Sequence, residues 1–242
     1  MREKLLAQLD AERDEQIAFL SGFLRCRSGN PPGDTRSAAE HVSGFLGSRG
    51  IPSRIVTAFE HMPNIVADFA GSSVGRHLVL NGHMDVFPAL DEAGWLGEVR
   101  DGRIYGRGAA DMKAGTAAGV LAFAALHGLR DHLKGRLTLT AVSDEESGGR
   151  FGTAYLLDTM PEAVTGDCCL NGEPSGLNNI RFMEKGTLRL RIVVAAPGGH
   201  GGYPHLSANP IKIMAAIITA LETLHGRKPV LPEAVERALG TP

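Results

Sequence analysis

His83 and Asp85 stand two residues apart in LVLNGHMDVFP, at the end of an apolar run that reads as a β-strand. Strand alternation places both side chains on one face, which suits a metal-binding imidazole with a carboxylate beside it to orient the ring. Taken alone, a His-x-Asp at a strand end is an ordinary loop cap. Asp111, in YGRGAADMKAG, opens an Ala-rich helix behind a glycine-flexible turn, where it could equally be a helix cap. In AVSDEESGG a buried strand runs into three consecutive acids, Asp144, Glu145 and Glu146. Their mutual repulsion costs stability unless cations offset it, so a metal is the economical explanation and a solvated acidic loop the bland one. Glu173 ends another short strand in LNGEPSG.

Collected, these residues put one histidine and several carboxylates at strand ends, where open α/β sheets place their ligands. Mixed imidazole and carboxylate ligation suits Zn²⁺, with Mn²⁺ or Co²⁺ as substitutes. No G-x-S-x-G elbow or P-loop competes, and the GxG at Gly106 fails as a dinucleotide fingerprint because Asp111 occupies the place of the third glycine.

The elements that must hold these residues follow from periodicity. Leu5, Leu9, Ile17, Leu20 and Leu24 keep helical spacing, as do Val42, Phe45 and Leu46 before a helix-stopping Gly50. Strands are expected at Ser53–Thr57, Asn64–Phe69, His77–Asn81, Leu137–Ser143 and Asp167–Asn171, with helices from Asp111 through AGTAAGVLAFAALHGL and over Thr153–Asp158. Strands alternating with helices indicate an α/β sheet. Beyond Asn178 the pattern changes: TLRLRIVVAA alternates apolar and basic residues as a half-solvated strand does, and Asn209–Pro210 caps a helix over IKIMAAIITALETLH. The expected division is a catalytic domain over 1–178 and a second, partial domain over 179–242.

Composition bounds the function. Among 242 residues, 43% are hydrophobic and 21% charged, an ordinary globular balance. The 25 Lys and Arg against 27 Asp and Glu are scattered, which disfavours nucleic acid as a partner. Charges interrupt the N-terminus where a signal peptide needs an apolar stretch, and no run is long enough to span a membrane. Three cysteines without C-x-x-C spacing or a disulfide framework point to a reducing cytoplasm. His41, His127 and His132 read as surface residues, and Trp95 as loop packing.

The ordered set GHMDVFP, GRGAADMKAG, DEESGG and NGEPSG, followed by GGHGGYPHLSANP, resembles the acetylornithine deacetylase, succinyl-diaminopimelate desuccinylase and related zinc carboxypeptidase and aminoacylase family. The last motif looks most like the desuccinylase branch. The resemblance covers nearly the whole chain. It implies a zinc-exopeptidase-like catalytic domain with a mixed, mostly parallel sheet and an α+β lid and dimerisation domain. It further implies that His83 and Glu173 bind one zinc, Glu146 the other, and Asp111 bridges both. Asp85 then orients His83, Glu145 is the general base, and His200 reaches into the site of the partner subunit of a homodimer to stabilise the oxyanion. The implied substrate is an N-acyl amino acid or small peptide, cleaved at its amide bond.

Members of that family are longer, and their chain returns from the lid to supply a last histidine ligand to the zinc held by Glu146. From the sequence, therefore, an incomplete second metal site, an incomplete lid and low activity of this stretch by itself are expected. A catalytically silent module of the same fold is the rival reading. A phosphate-binding protein that uses the glycine-rich loops lacks a supporting basic pattern.

Overall fold

The computed structural model describes residues 2–176, 178–182, 186–228 and 230–240. The chain divides into two compact units, Met1–Arg181 and Phe182–Pro242.

The first unit is a two-sided α/β layer structure. Helices α1 (Arg2–Ala11), α2 (Arg13–Arg25) and α3 (Arg36–Ser48) precede strands β1 (Arg54–Val56), β2 (Asn64–Ala70) and β3 (Ser73–His83). A short hairpin, β4 (Glu98–Arg100) and β5 (Arg103–Tyr105), leads to α4 (Lys113–His127), β6 (Lys134–Val142), α5 (Thr153–Thr159), α6 (Pro161–Val164) and β7 (Cys168–Asn171). The main sheet has the order β1-β2-β6-β3-β7. β6, β3 and β7 pair in parallel, whereas β2 runs antiparallel to both β1 and β6.

Period-two burial explains why both faces carry helices. On β2 and β6, Ile65, Ala67, Phe69, Leu137, Leu139 and Ala141 join a core with Phe19 and Phe23 of α2, Val42 and Leu46 of α3, and Val120 and Phe123 of α4. The alternate residues Val66 and Val142 pack with Leu156 of α5 in a second cluster. A one-residue slip would exchange these faces, so the register is pinned from both sides.

The expected elements appear with shifted ends. The strand expected from His77 runs over Ser73–His83, which makes His83 its last residue. The helix expected from Asp111 begins at Lys113 with Met112 as N-cap, so Asp111 precedes the helix and does not cap it. His41, expected at the surface, is half-buried: its Nε2 lies 2.8 Å from the carbonyl of Phe19 and its ring stacks on Phe19 at 4.7 Å.

In the second unit, α7 (Pro210–Glu222) is capped as expected: Asn209 accepts hydrogen bonds from the N–H groups of Ile211 and Lys212. A helix α8 (Glu233–Leu239) follows. The strand expected over 187–196 is a correction. These residues carry no strand pairing, and Leu188, Leu190 and Val193 are exposed. Alternation creates a strand only where a neighbour supplies ladder hydrogen bonds, and among the described residues of this unit there is none. No helix among the described residues is long and apolar enough to cross a membrane.

Candidate metal centre

The C-terminal ends of β3, β6 and β7 lie side by side, and each delivers acid or imidazole groups at or just past its last paired residue. At the end of β6, Asp144 adopts a left-handed backbone conformation (φ 69°) that turns the chain out of the sheet into a short 3₁₀ turn over Glu145–Ser147. Asp144 is itself buried, and its carboxylate accepts the N–H of Phe151 at 2.9 Å. Of the three consecutive acids it is therefore the one that shapes the turn, leaving Glu145 and Glu146 to face outward from it.

Asp85, fully buried, organises the same turn from below. Its carboxylate accepts the N–H of Glu145 at 3.2 Å, the N–H of Glu146 at 3.1 Å and the side-chain amide of Asn30 at 2.8 Å. Sequence reasoning missed Asn30, which lies 55 residues from Asp85 with no spacing to signal it. The approach of Asp85 to His83 also differs from the expected carboxylate contact. Nδ1 of His83 lies 2.8 Å from the backbone carbonyl of Asp85 and 3.5 Å from its carboxylate. A carbonyl can only accept, so Nδ1 carries a proton, and in the neutral ring that a metal requires Nε2 presents its lone pair.

That lone pair is the centre of the site. Among the described residues, Nε2 of His83 is the one buried side-chain nitrogen or oxygen without a hydrogen-bond partner. It faces Asp111 Oδ1 at 3.3 Å, Glu145 Oε2 at 3.6 Å and Glu173 Oε2 at 3.6 Å. Two donors on one zinc ion, each at about 2.1 Å and at tetrahedral angles, lie roughly 3.4 Å apart. The ligand atoms of His83, Asp111 and Glu173 all fall within 4.8 Å of one another. An orphaned imidazole nitrogen with carboxylates at that spacing fits a divalent metal ion. Glu146 stands beside this trio with its carboxylate fixed by the N–H of Phe87 at 3.0 Å.

Close backbone packing brings Asp111 and Glu173 together. A Cβ on Gly115 would overlap the carbonyl oxygen of Gly172, and one on Gly82 would overlap Thr116, so α4 lies directly on the ends of β3 and β7. Thr116 donates to the carbonyl of His83 at 2.7 Å and ties the helix to the strand. A relay of side chains, Asn171 to Asn81 at 2.6 Å and Asn81 to Thr140 at 2.8 Å, crosses the three strand ends, and Asn171 accepts the N–H of Glu173 at 2.7 Å. The first turn of α4 also carries Lys113, unremarked in the sequence and fully buried, whose ammonium donates to the carbonyls of Phe23 at 3.0 Å and Cys26 at 2.6 Å.

His200 belongs to the second unit. It is exposed in a glycine turn, where its Nδ1 accepts the N–H of Gly202 at 3.1 Å. The structure thus brings together His83, Asp85, Asp111, Glu145, Glu146 and Glu173, all within the first unit.

The charges respond to this crowding. Burial pushes Glu146 and Glu173 upward, and the charge of Asp111 adds to both. Burial alone would depress His83, but the contacts and charge of Asp85, with the charge of Glu145, outweigh it and raise the imidazole to about 9. Without metal, His83 is therefore expected to stay protonated at neutral pH. A raised folded-state value means that the stability it contributes is complete below pH 6.5 and is lost as pH rises toward 9. Lys113, lowered to about 8 by burial, acts in the opposite sense above pH 8, which leaves pH 6.5–8 as the clear window. Over that window the metal-free protein should lose about 2 kcal/mol, at about 1.4 kcal/mol per pH unit. The metal-loaded protein, whose His83 must already be neutral, should not. Thermal unfolding of chelator-treated and zinc-loaded samples checks this, and a metal-free Tm that is flat or rising across the window contradicts it.

A family model described as Peptidase family M20/M25/M40 matches residues 79–241. Succinyl-diaminopimelate desuccinylase of Rhodopseudomonas palustris (strain BisB18) is 34% identical over 226 residues, which covers 86% of this chain and 57% of that protein. The protein of the same name from Bradyrhizobium sp. (strain BTAi1 / ATCC BAA-1182) is 40% identical over 242 residues, covering 92% and 62%. The chain thus spans about three fifths of the length of these curated relatives. A putative aminohydrolase from methicillin resistant Staphylococcus aureus superposes with a TM-score of 0.63 at 17% identity, covering 95% of this chain and 61% of that one. Human carnosine dipeptidase 1 superposes with a TM-score of 0.55 at 21% identity, covering 71% and 41%. The structural likenesses establish the shared α/β fold. The family match takes in the ends of β3, β6 and β7 together with Asp111, the residues on which the site is built, and the chain belongs to peptidase family M20/M25/M40.

Proposed function

We propose that this chain carries the metal-binding unit of a zinc-dependent hydrolase that cleaves the amide bond of an N-acyl amino acid or small peptide, in the manner of a deacylase or desuccinylase. The orphaned Nε2 of His83 among carboxylates carries the reading. The desuccinylase names of relatives at 34 and 40% identity support the substrate class. His83 and Glu173 would hold one zinc, Glu146 the other, and Asp111 would bridge them, with Co²⁺ or Mn²⁺ as substitutes. Such ions lower the pKa of water and polarise a carbonyl oxygen.

The rest is the work of this chain's own groups. Asp85 fixes the tautomer and position of His83 and, through the two N–H groups it binds, the placement of Glu145 and Glu146. Glu145, whose side chain is 54% exposed, is free to take a proton from the attacking water and return it to the departing amine. Glu146 is held by Phe87 and suits a fixed ligand. His200 would donate to the oxyanion across a homodimer, its flanking glycines allowing the reach. Free cysteines at 26, 168 and 169 are consistent with work in the cytoplasm.

The rival reading is a catalytically silent form of the same fold. The test is hydrolysis of N-succinyl and N-acetyl amino acids by the purified protein, stripped with chelator and restored with zinc. Metal-restored cleavage is expected of the full-length protein. A protein that holds two metals and cleaves no amide would overturn the enzymatic reading, and one that holds a single metal without turnover would favour the silent form.

A further inference from the structure

The turn over Glu145–Ser147 carries two groups of the site, yet none of its residues is buried. The two glycines that follow, Gly148 at φ 110° and Gly149 at φ 71°, face open space: a Cβ on either would meet nothing within 4 Å. Packing from outside therefore does not fix the turn, and hydrogen bonds must place it. One set of these bonds closes on itself. Asp85 Oδ2 accepts the N–H of Glu146 at 3.1 Å and Nδ2 of Asn30 at 2.8 Å. Asn30 Oδ1 in turn accepts the hydroxyl of Ser147, the residue after Glu146, at 2.8 Å. Asn30 has a firm base for this. It is buried, and its N–H donates to the carbonyl of Val86 at 2.8 Å. The N–H of Val86 donates to the carbonyl of Ser28 at 3.0 Å, so the segment that bears Asn30 is stitched to the one that bears Asp85. Gly33, at φ 86°, closes over the amide, where a Cβ would lie 3.1 Å from Oδ1.

We propose that Asn30 is a positioning residue for the metal centre: through this ring of hydrogen bonds with Asp85 and Ser147 it sets the turn that presents Glu145 and Glu146. The reason lies in what an amide offers. Nδ2 only donates and Oδ1 only accepts, so one side chain answers a carboxylate on one side and a hydroxyl on the other. Aspartate would set a second carboxylate against Asp85, and alanine would leave both partners unanswered. With the ring open, the Glu146 N–H is all that holds Asp85 Oδ2 toward the turn, and that N–H is the group Asp85 has to place. Nothing outside then stops the turn from moving, and a displacement of about 1 Å at a reacting group is enough to cost two powers of ten in rate. The inference deepens the amide-hydrolase reading and rests on it for the reaction, but not for the binding of metal.

The experiment uses the full-length protein, stripped with chelator and titrated with Co²⁺, whose visible absorption reports the geometry of its ligands, with turnover of an N-acyl amino acid as a second readout. Asn30→Ala should weaken Co²⁺ binding by about 10- to 100-fold, the scale for a group that supports ligands without touching the ion, and should change the absorption per bound ion. It should lower kcat with KM near the wild-type value, because the buried amide meets no substrate. Ser147→Ala should show a smaller loss, about 5-fold, the scale of one neutral hydrogen bond, and Ser147→Thr, which keeps the hydroxyl, should recover most of it. Asn30→Ala combined with Ser147→Ala should be no worse than Asn30→Ala alone, since both contacts run through one amide. A lowered Tm with unchanged Co²⁺ affinity and absorption would make Asn30 a residue of the fold alone and overturn the proposal. So would losses that add in the double variant. Should Asn30→Ala fail to fold, the serine pair decides: Ser147→Ala indistinguishable from Ser147→Thr overturns the ring. If no amide is cleaved but Co²⁺ affinity and absorption change as expected, the amide-hydrolase reading falls and the positioning role stands.

Discussion

In the full-length protein Glu145→Gln is expected to leave metal content unchanged while lowering turnover by two to four powers of ten, the usual contribution of a positioned general base. Its neighbour should behave oppositely, with Glu146→Gln losing metal. Both glutamates sit on the turn that Asp85 fixes, so their difference lies in what happens to the carboxylates. That of Glu146 receives the Phe87 N–H at 3.0 Å and is pushed upward by burial and by Asp111. Such a group is pre-placed and gains most from a cation. That of Glu145 accepts no hydrogen bond among the described residues and reaches to 3.6 Å from Nε2 of His83, at the edge of the trio. The amide of glutamine keeps the size and cannot take a proton. Elemental analysis beside steady-state kinetics decides the matter: a Glu145→Gln protein that has lost a metal, with Glu146→Gln keeping both, exchanges the two roles.

Asp85→Asn is expected to weaken metal binding by 10- to 100-fold and to lower turnover with it, although Asp85 is assigned no contact with either ion or substrate. The carboxylate offers acceptors to three donors, Asn30 Nδ2 and the N–H groups of Glu145 and Glu146. Asparagine has one carbonyl oxygen, and its amide would point a donor at a donor in a fully buried place. Each N–H left unpaired there costs about 1–3 kcal/mol. The loss falls on the turn that carries Glu145 and Glu146 and on the ring of His83. Because Asp85 is also the chief group that raises His83 against burial, the pH dependence of the metal-free protein should shrink in the same variant. Metal titration against a competing chelator measures the first effect. A variant that binds zinc as the wild type does would assign Asp85 to the fold alone.

Much of the site was legible because its residues are carried by local patterns. An apolar strand that ends in His83 and Asp85, a buried strand that runs into Glu145 and Glu146, and a short strand before Glu173 each announce a polar group at a strand end, and the C-terminal strand ends are where they lie. The helices fared likewise where spacing and capping agree, as at Asn209 for α7. Alternation over 187–196 was not sufficient, since a strand exists only with a neighbour to pair with.

What the sequence by itself determined is therefore the set of chemical groups, their order along the chain and the elements that bear them, because these depend on neighbours within a turn or a strand. The tertiary structure alone decided how each group is presented. It bonds Nδ1 of His83 to the carbonyl of Asp85, so that Nε2 faces the acids. It recruits Asn30 across 55 residues and buries Lys113 against carbonyls about 90 residues away in α2 and its C-cap. It makes Asp144 a turn former instead of a ligand and ties Ser147 to Asn30 across 117 residues. Hydrogen-bond geometry and desolvation act between atoms that folding brings within a few ångströms, and no spacing along the chain encodes which distant carbonyl, amide or charge will be there.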